Sequence, residues 1–216
     1  MKGRDFTQPT QWSDFCPFCT NCPRSKKDES SKHAAGVAVD HHVNNSVAMN
    51  KLLILAGCVA GVAASAVSGA LVTDPESRYY RTLVKPSWQP PPPVYGIVWT
   101  PLYADMALSS GHAISELGQQ GRTTERKRLV AALGANLVLN TTWSWLFFRV
   151  HRPWLAAAEC AVLTASSVDL VRRVGAVDRR AGFALSPYPA WCAFATALTV
   201  AVARLNPRSQ IDARLK

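Results

Sequence analysis

The stretch LLILAGCVAGVAASAVSGALV, residues 52–72, runs for 21 positions without a formal charge, between Lys51 on one side and Asp74-Pro75 on the other. A helix needs about 20 predominantly apolar residues to cross the hydrocarbon layer of a bilayer. The stretch is too long and too far from the N-terminus for an ordinary cleaved signal. It therefore predicts a transmembrane helix that stays in the mature protein.

Four more windows of that length follow, at about 94–117, 129–148, 154–171 and 181–203. The second holds Asp105, the third Asn136 and Asn140, the fourth Glu159 and Asp169, and the fifth Pro187 and Pro189, which should kink it because each removes a backbone donor. The expected fold is an all-α membrane protein, a bundle of five transmembrane helices. Its domain would cover residues 51–206, with a polar, disordered extension at 1–50 and a short tail at 207–216. Polar ends and apolar spans cancel in the average, which explains a hydrophobic fraction of only 48% over 216 residues.

The net charge of +10 admits a nucleic-acid partner or a membrane surface. Its placement favours the membrane. Arg122, Arg126, Lys127 and Arg128, then Arg172, Arg173, Arg179 and Arg180, cluster in loops between apolar runs, and no RNA-binding signature is present, so no nucleic-acid partner is expected. Eight basic residues in the second and fourth loops stand against five in the first and third, but the C-terminal segment adds four to the second face and weakens the orientation signal. Gly57, Gly61, Ser65 and Gly69 recur every fourth residue along the first span. Such a row lets another helix come close, either within the monomer or across a homodimer.

Between the first two spans lies Tyr79-Tyr80, then Lys85-Pro86-Ser87-Trp88-Gln89-Pro90-Pro91-Pro92-Pro93, then Val98-Trp99-Thr100-Pro101-Leu102-Tyr103. Leu139-Asn140-x-x-Trp143 and Phe147-Phe148 follow in the third span, Asp178 to Gly182 before the fifth, and Pro187-Tyr188-x-Ala190-Trp191-x-Ala193-Phe194-Ala195 within it. Over residues 52–206 this pattern resembles the translocator protein family, also called tryptophan-rich sensory protein (TspO/MBR, peripheral-type benzodiazepine receptor). The chain departs from the family at Tyr79, where Trp is usual, at Pro93, and at Thr199, where Asn is common. Val200 stands where the cholesterol-recognition pattern of animal members asks for Tyr before a basic residue such as Arg204.

Trp99, Trp143 and Trp191 admit two readings, an interfacial aromatic belt or the walls of a flat pocket in which indole faces stack on a ligand. Trp145 and Trp154 suit the belt. Asn136, Asn140 and Trp143 fall at i, i+4 and i+7 on one helical face, which fits either an interhelical hydrogen bond or a pocket lining. The resemblance favours the pocket, and implies that Trp88, Tyr95, Trp99, Asn140, Trp143, Phe147, Trp191, Ala195 and Leu198 line it. The proline-rich loop 74–93 then reads as a stiff lid, closed by Trp88 and Tyr80.

Asp105 heads a row with Ser109, His112 and Glu116 on the second span, while Glu159 and Asp169 lie on the fourth. An acid at membrane depth costs roughly 2.5–3.5 kcal/mol, so Asp105 and Glu159 are the candidates for a proton or substrate pathway. Cys16, Cys19 and Cys22, with His33, His41 and His42 downstream, make an incomplete metal set, and no metal or required cofactor is expected.

The resemblance implies a membrane translocator or sensor that binds a small hydrophobic ligand: a porphyrin or haem, and in some members a sterol. Light- and oxygen-dependent porphyrin breakdown and proton-linked transport are the alternatives. The expected home is the mitochondrial outer membrane in a eukaryote and the cell envelope in a bacterium.

Overall fold

The computed structural model describes residues 26–207, with side chains from residue 47 onward. Seven helices follow in order: α1 (Lys26–Val72), α2 (Arg78–Thr82), α3 (Pro92–Gln119), α4 (Thr123–Phe148), α5 (Pro153–Gly175), α6 (Arg179–Ala184) and α7 (Pro187–Leu205). Helix α1 is already formed at Lys26, upstream of the span expected at 52.

Among the described residues, three segments are both long and apolar enough to cross a membrane: Val47–Val72 of α1, Pro153–Gly175, and Arg179–Leu205. Helices α3 and α4 contribute 28 and 26 residues, about 42 and 39 Å at 1.5 Å per residue against a core of about 30 Å. Their lower hydropathy has a structural reason, because their polar residues point inward: Ser109, Ser110, Ser115, Asn136, Asn140 and Ser144 are all buried. The outward faces carry Leu52, Leu53, Val67, Ile97, Val138 and Val162, all exposed. An apolar exterior around a polar-containing interior is the arrangement a bilayer imposes, since only outward groups meet lipid. The chain is an all-α membrane protein.

The core lies between α3, α4, α5 and α7, where Met106, Leu129, Leu170 and Tyr188 are fully buried. Helix α1 leans on α3 and α4. Its Ser65 hydroxyl donates to the Leu137 carbonyl at 3.0 Å and lies 3.1 Å from the Thr141 hydroxyl. A side chain at Gly61 would touch Leu137, and one at Gly69 would touch Ser144, each at 3.6 Å. The small-residue row is thus occupied within the monomer, with Gly57 alone facing open space.

The fifth span differs from the expected kinked helix. The chain ends α6 at Ala184 and starts α7 at Pro187, with Leu185 and Ser186 between them. Pro187 and Pro189 sit in the first turn of α7, where backbone N–H groups have no intrahelical partner anyway, so they start a helix rather than bend one. Helix α6 is capped by Asp178, whose carboxylate accepts from the backbone N–H of Arg180 at 2.8 Å and of Ala181 at 3.4 Å. It packs so closely on α5 that a Cβ on Gly182 would stand 2.5 Å from the Gly175 Cα.

Candidate functional site

Inside the bundle, toward the end covered by the first loop, lies a cavity of about 440 Å³. That size falls within the range of roughly 300–1,000 Å³ typical of small-molecule sites. Tyr95, Trp99, Asn140, Trp143, Phe147, Trp191, Ala195 and Leu198 all line it. Its aromatic wall comes in two clusters, one around Trp99 and Trp191 and one around Trp143. Trp99 stacks on Tyr103 at 5.0 Å and meets Trp191 edge-on at 6.5 Å, Trp191 stacks on Phe194 at 5.1 Å, and Trp143 stacks on Phe147 at 5.6 Å. Offset stacks and edge contacts of this kind fix the rings while leaving their free faces toward the cavity.

Two polar hydrogens on that wall are buried without a partner: Nε1 of Trp143 and Nε1 of Trp191. Burying an indole N–H unpaired is unfavourable by roughly 1–3 kcal/mol, so each of these two donors would gain from an acceptor.

The polar stripe of α4 divides by depth. Asn136 is fully enclosed: its amide donates to the Ser166 and Ser167 hydroxyls, each at 3.1 Å, and its carbonyl oxygen accepts from the Tyr188 hydroxyl at 2.7 Å. Asn140 lines the cavity, yet its Oδ1 already accepts from the Tyr103 hydroxyl at 2.8 Å. Tyr103 and Phe194, neither singled out as a site residue in the sequence, are therefore part of the wall. Both sit inside the aromatic motifs that carry the resemblance, which was the available signal.

The first loop lies over this end of the bundle through specific contacts. Ser77 caps α2 by accepting from the Tyr80 N–H. Tyr79 is buried, stacks on His151 at 4.1 Å and meets Phe147 edge-on; burial pushes its phenol up to about 12. His151 takes φ 57°, a left-handed conformation that non-glycine residues seldom adopt. Asn206, past the end of α7, holds the loop backbone from both sides: Val84 N–H donates to its Oδ1 at 2.9 Å, and its Nδ2 donates to the Val84 carbonyl at 2.8 Å. Tyr80, Lys85 and Gln89 form the cavity's loop-side rim. Trp88 stands outside the lining, half exposed, with its ring edge on Phe194 at 5.8 Å.

Asp105 and Glu159 are also outside the lining. Asp105 accepts from the Ser109 hydroxyl at 2.8 Å, but the rest of the expected row disperses: His112 pairs with Asp178 at 3.1 Å and Glu116 with Lys51 at 3.3 Å. Glu159 buries both carboxylate oxygens without a hydrogen-bond partner. Since α4 and α5 run antiparallel with Asn136 beside Ser166, seven positions further along each brings Trp143 level with Glu159. Trp145 and Trp154 face outward, as the belt reading of these two requires. Cys16, Cys19 and Cys22 lie outside the described residues, and no cluster of metal-ligating side chains occurs among those described.

A model of the TspO/MBR family matches residues 54–205. The chain belongs to the TspO/MBR family. Among its relatives, the tryptophan-rich protein TspO of Chlorobaculum tepidum is 35% identical over 162 residues, covering 74% of this chain and all of the relative. The tryptophan-rich sensory protein of Cereibacter sphaeroides is 32% identical over 72% of this chain and 90% of its own. The human translocator protein is 33% identical over 60% of this chain and 75% of its own. The TspO/MBR match begins within α1 and ends at the last residue of α7, so it takes in every helix that lines the cavity.

Proposed function

We propose that this TspO/MBR protein binds a flat hydrophobic ligand of the tetrapyrrole class in the cavity beneath its first loop, as a membrane sensor or carrier of that ligand. The observation that carries the reading is a cavity walled by two clusters of stacked aromatic rings, in which two indole N–H groups have no partner. Burial against ring faces supplies the affinity, and the two donors orient the polar edge of a planar molecule. Two relatives bear the names sensory protein and translocator protein, which agrees with ligand binding inside a membrane rather than hydrolytic chemistry. The acids that proton-linked transport would use, Asp105 and Glu159, stand away from the cavity wall, so the geometry supports binding more directly than coupled transport.

The test is protoporphyrin quenching of tryptophan fluorescence in detergent. Trp143→Leu and Trp191→Leu remove a wall and a donor together, and each should weaken binding at least tenfold, about 1.4 kcal/mol. Trp→Phe at either position keeps most of the ring and should lose about threefold to tenfold, the worth of one hydrogen bond. Wild-type affinity in both Leu variants would remove the cavity as the binding site.

A further inference from the structure

The end of the bundle away from the first loop carries a second concavity. Helix α1 enters its apolar stretch after Lys51, α3 finishes at Gln119 and α4 starts at Thr123, and residues near these three points line an open groove of about 580 Å³. The 21 residues 52–72 set it about 30 Å from the first loop. It shares no lining residue with the aromatic cavity. Its charged lining residues, Lys51 and Arg126, are both basic; Asn50 and Gln119 add amides, and Leu53 and Ile54 carry the groove onto the apolar span.

The two cations differ. Lys51 pairs with Glu116 at 3.3 Å, and Glu116 also accepts from Gln119 Nε2 at 3.4 Å. Arg126 is half-buried, and its guanidinium forms no ion pair or hydrogen bond with any described residue. Glu125, the acid beside it in sequence, is taken by Arg122. The Arg126 side chain is laid on the last turn of α3, where a Cβ on Gly118 would stand 3.7 Å from its Nη1 and 3.8 Å from its Cζ. The carbonyls of that turn are already used, Glu116 O by the Gln120 N–H, Leu117 O by that of Arg122 and Gly118 O by that of Gly121. A guanidinium presents five N–H donors in a planar fork. Here those donors line an open groove with no acceptor from the protein.

We propose that the groove binds the phosphate of an anionic phospholipid, with Arg126 holding it and Leu53 and Ile54 receiving the start of an acyl chain. Three observations choose this occupant. The groove opens where charge gives way to apolar sequence, at Lys51 and Leu52 on α1 and at Arg128 and Leu129 on α4, which is the headgroup level of a bilayer. The Arg fork matches two phosphate oxygens, whereas a lining without a carboxylate has nothing to pair with a choline ammonium. With Lys51 and Glu116 compensating each other, Arg126 leaves one net positive charge, the complement of a lipid with one net negative charge. Lys127 and Arg128, exposed in the same turn, attract any anionic surface, and the experiment must separate them from the groove.

Native mass spectrometry of the full-length protein, released from detergent, counts bound lipids. Titration then gives the first-lipid affinity for phosphatidylglycerol and for phosphatidylcholine, which shares the phosphate and chains but is neutral overall. Wild type should prefer phosphatidylglycerol about tenfold, the effect of one charge-assisted hydrogen bond. Arg126→Met should abolish that preference and leave phosphatidylcholine binding within about twofold, which reports that the variant is folded. Arg128→Met deletes the same charge two residues on, across the helix, and should keep the preference. Gly118→Leu keeps every charge but puts a side chain where the guanidinium lies, and should lose the preference as Arg126→Met does. Inorganic phosphate in millimolar excess should not displace the lipid, because it lacks the chains. No preference in wild type, a wild-type preference in Arg126→Met or Gly118→Leu, or equal losses in Arg126→Met and Arg128→Met overturns the site and leaves only a generally basic surface. Displacement by inorganic phosphate assigns the groove to a soluble anion and overturns the lipid.

Discussion

Changing Asn206 to Ala should release the first loop without unfolding the bundle. The Asn206 side chain is 1% exposed and forms two hydrogen bonds with the backbone of Val84, at 2.9 and 2.8 Å, across 122 positions of sequence. Its third bond, to the Val202 carbonyl at 2.8 Å, stays within the end of α7 and does not bear on the loop. Val84 is 42% exposed, so its freed N–H and C=O can return to water, and the loss is the net worth of two bonds rather than the cost of stranding them. At about 1 kcal/mol each, the locally closed state loses about 2 kcal/mol, a shift of about 30-fold toward opening. Hydrogen exchange at the Val84 amide reads that equilibrium directly, and should accelerate by about the same factor, while amides in the middle of α4 and α5 keep their protection. Trypsin cleavage after Arg81 should rise in parallel. Exchange at Val84 within about threefold of wild type would mean that the aromatic contacts of Tyr79 and Tyr80 hold the loop by themselves, and the clamp argument would be wrong.

Gly182→Ala places a methyl 2.5 Å from the Gly175 Cα and 2.8 Å from its N, both backbone atoms, so α6 must move away from α5. The expected cost is about 1–3 kcal/mol, read as a melting temperature in detergent lower by about 3–10 °C. Gly57 meets nothing within 4 Å, so Gly57→Ala should be neutral or stabilise α1 by up to about 1 kcal/mol. Ser65→Leu, in the same row but packed on Leu137 and Thr141, should destabilise the fold in the same assay. The Asp178 carboxyl is held below its ordinary range by the backbone N–H of Arg180, then by that of Ala181 and by His112. A depressed folded value means that its contribution is fully present above the unfolded value near 4, and is lost as pH falls through the folded one. Stability attributable to this cap should therefore be flat from pH 5 upward and decline in acid. Asp178→Ala should remove that portion of the acid dependence, and an unchanged profile would exclude the cap as its source.

Length without charge made the first and last spans legible, because lipid leaves a chain no alternative partner for its backbone and the signal is therefore local. Long-range partners are harder to read. Asp105, Ser109, His112 and Glu116 share a helical face in the sequence, yet His112 is taken by Asp178 and Glu116 by Lys51, each more than 60 positions away. The fifth span shows a different limit. Two prolines within an apolar window mark a kink or a helix start equally well, and the choice depends on whether the preceding segment has somewhere to pack. Gly182 against Gly175 provides that place, and α6 ends there rather than running on into α7. Asn206 carried no local signal, since nothing around it announces a partner at Val84.

The stripe on α4 shows how one periodicity serves two purposes. Asn136, Asn140 and Trp143 share a face by spacing alone, which cannot divide them between packing and ligand contact. The structure does so by depth. Asn136, with every described partner a side chain of α5 or α7, is sealed in the core. One turn nearer the loop, Asn140 accepts from Tyr103 and donates at 3.5 Å to Tyr188 but reaches the cavity, and at Trp143 the indole N–H has no partner. Hydrogen-bond satisfaction therefore falls along a single helix face toward the loop, and Trp143 is where it ends. Packing alone gives no reason for the gradient to end at Trp143, because a phenylalanine there would fill similar space without burying a donor. On the proposed reading an acceptor on the ligand gives one, whereas Glu159, level with Trp143 and with both carboxylate oxygens unpartnered, is the acceptor the protein itself holds nearby; the Trp143→Phe variant, which changes little but the donor, tests whether ligand affinity depends on that N–H.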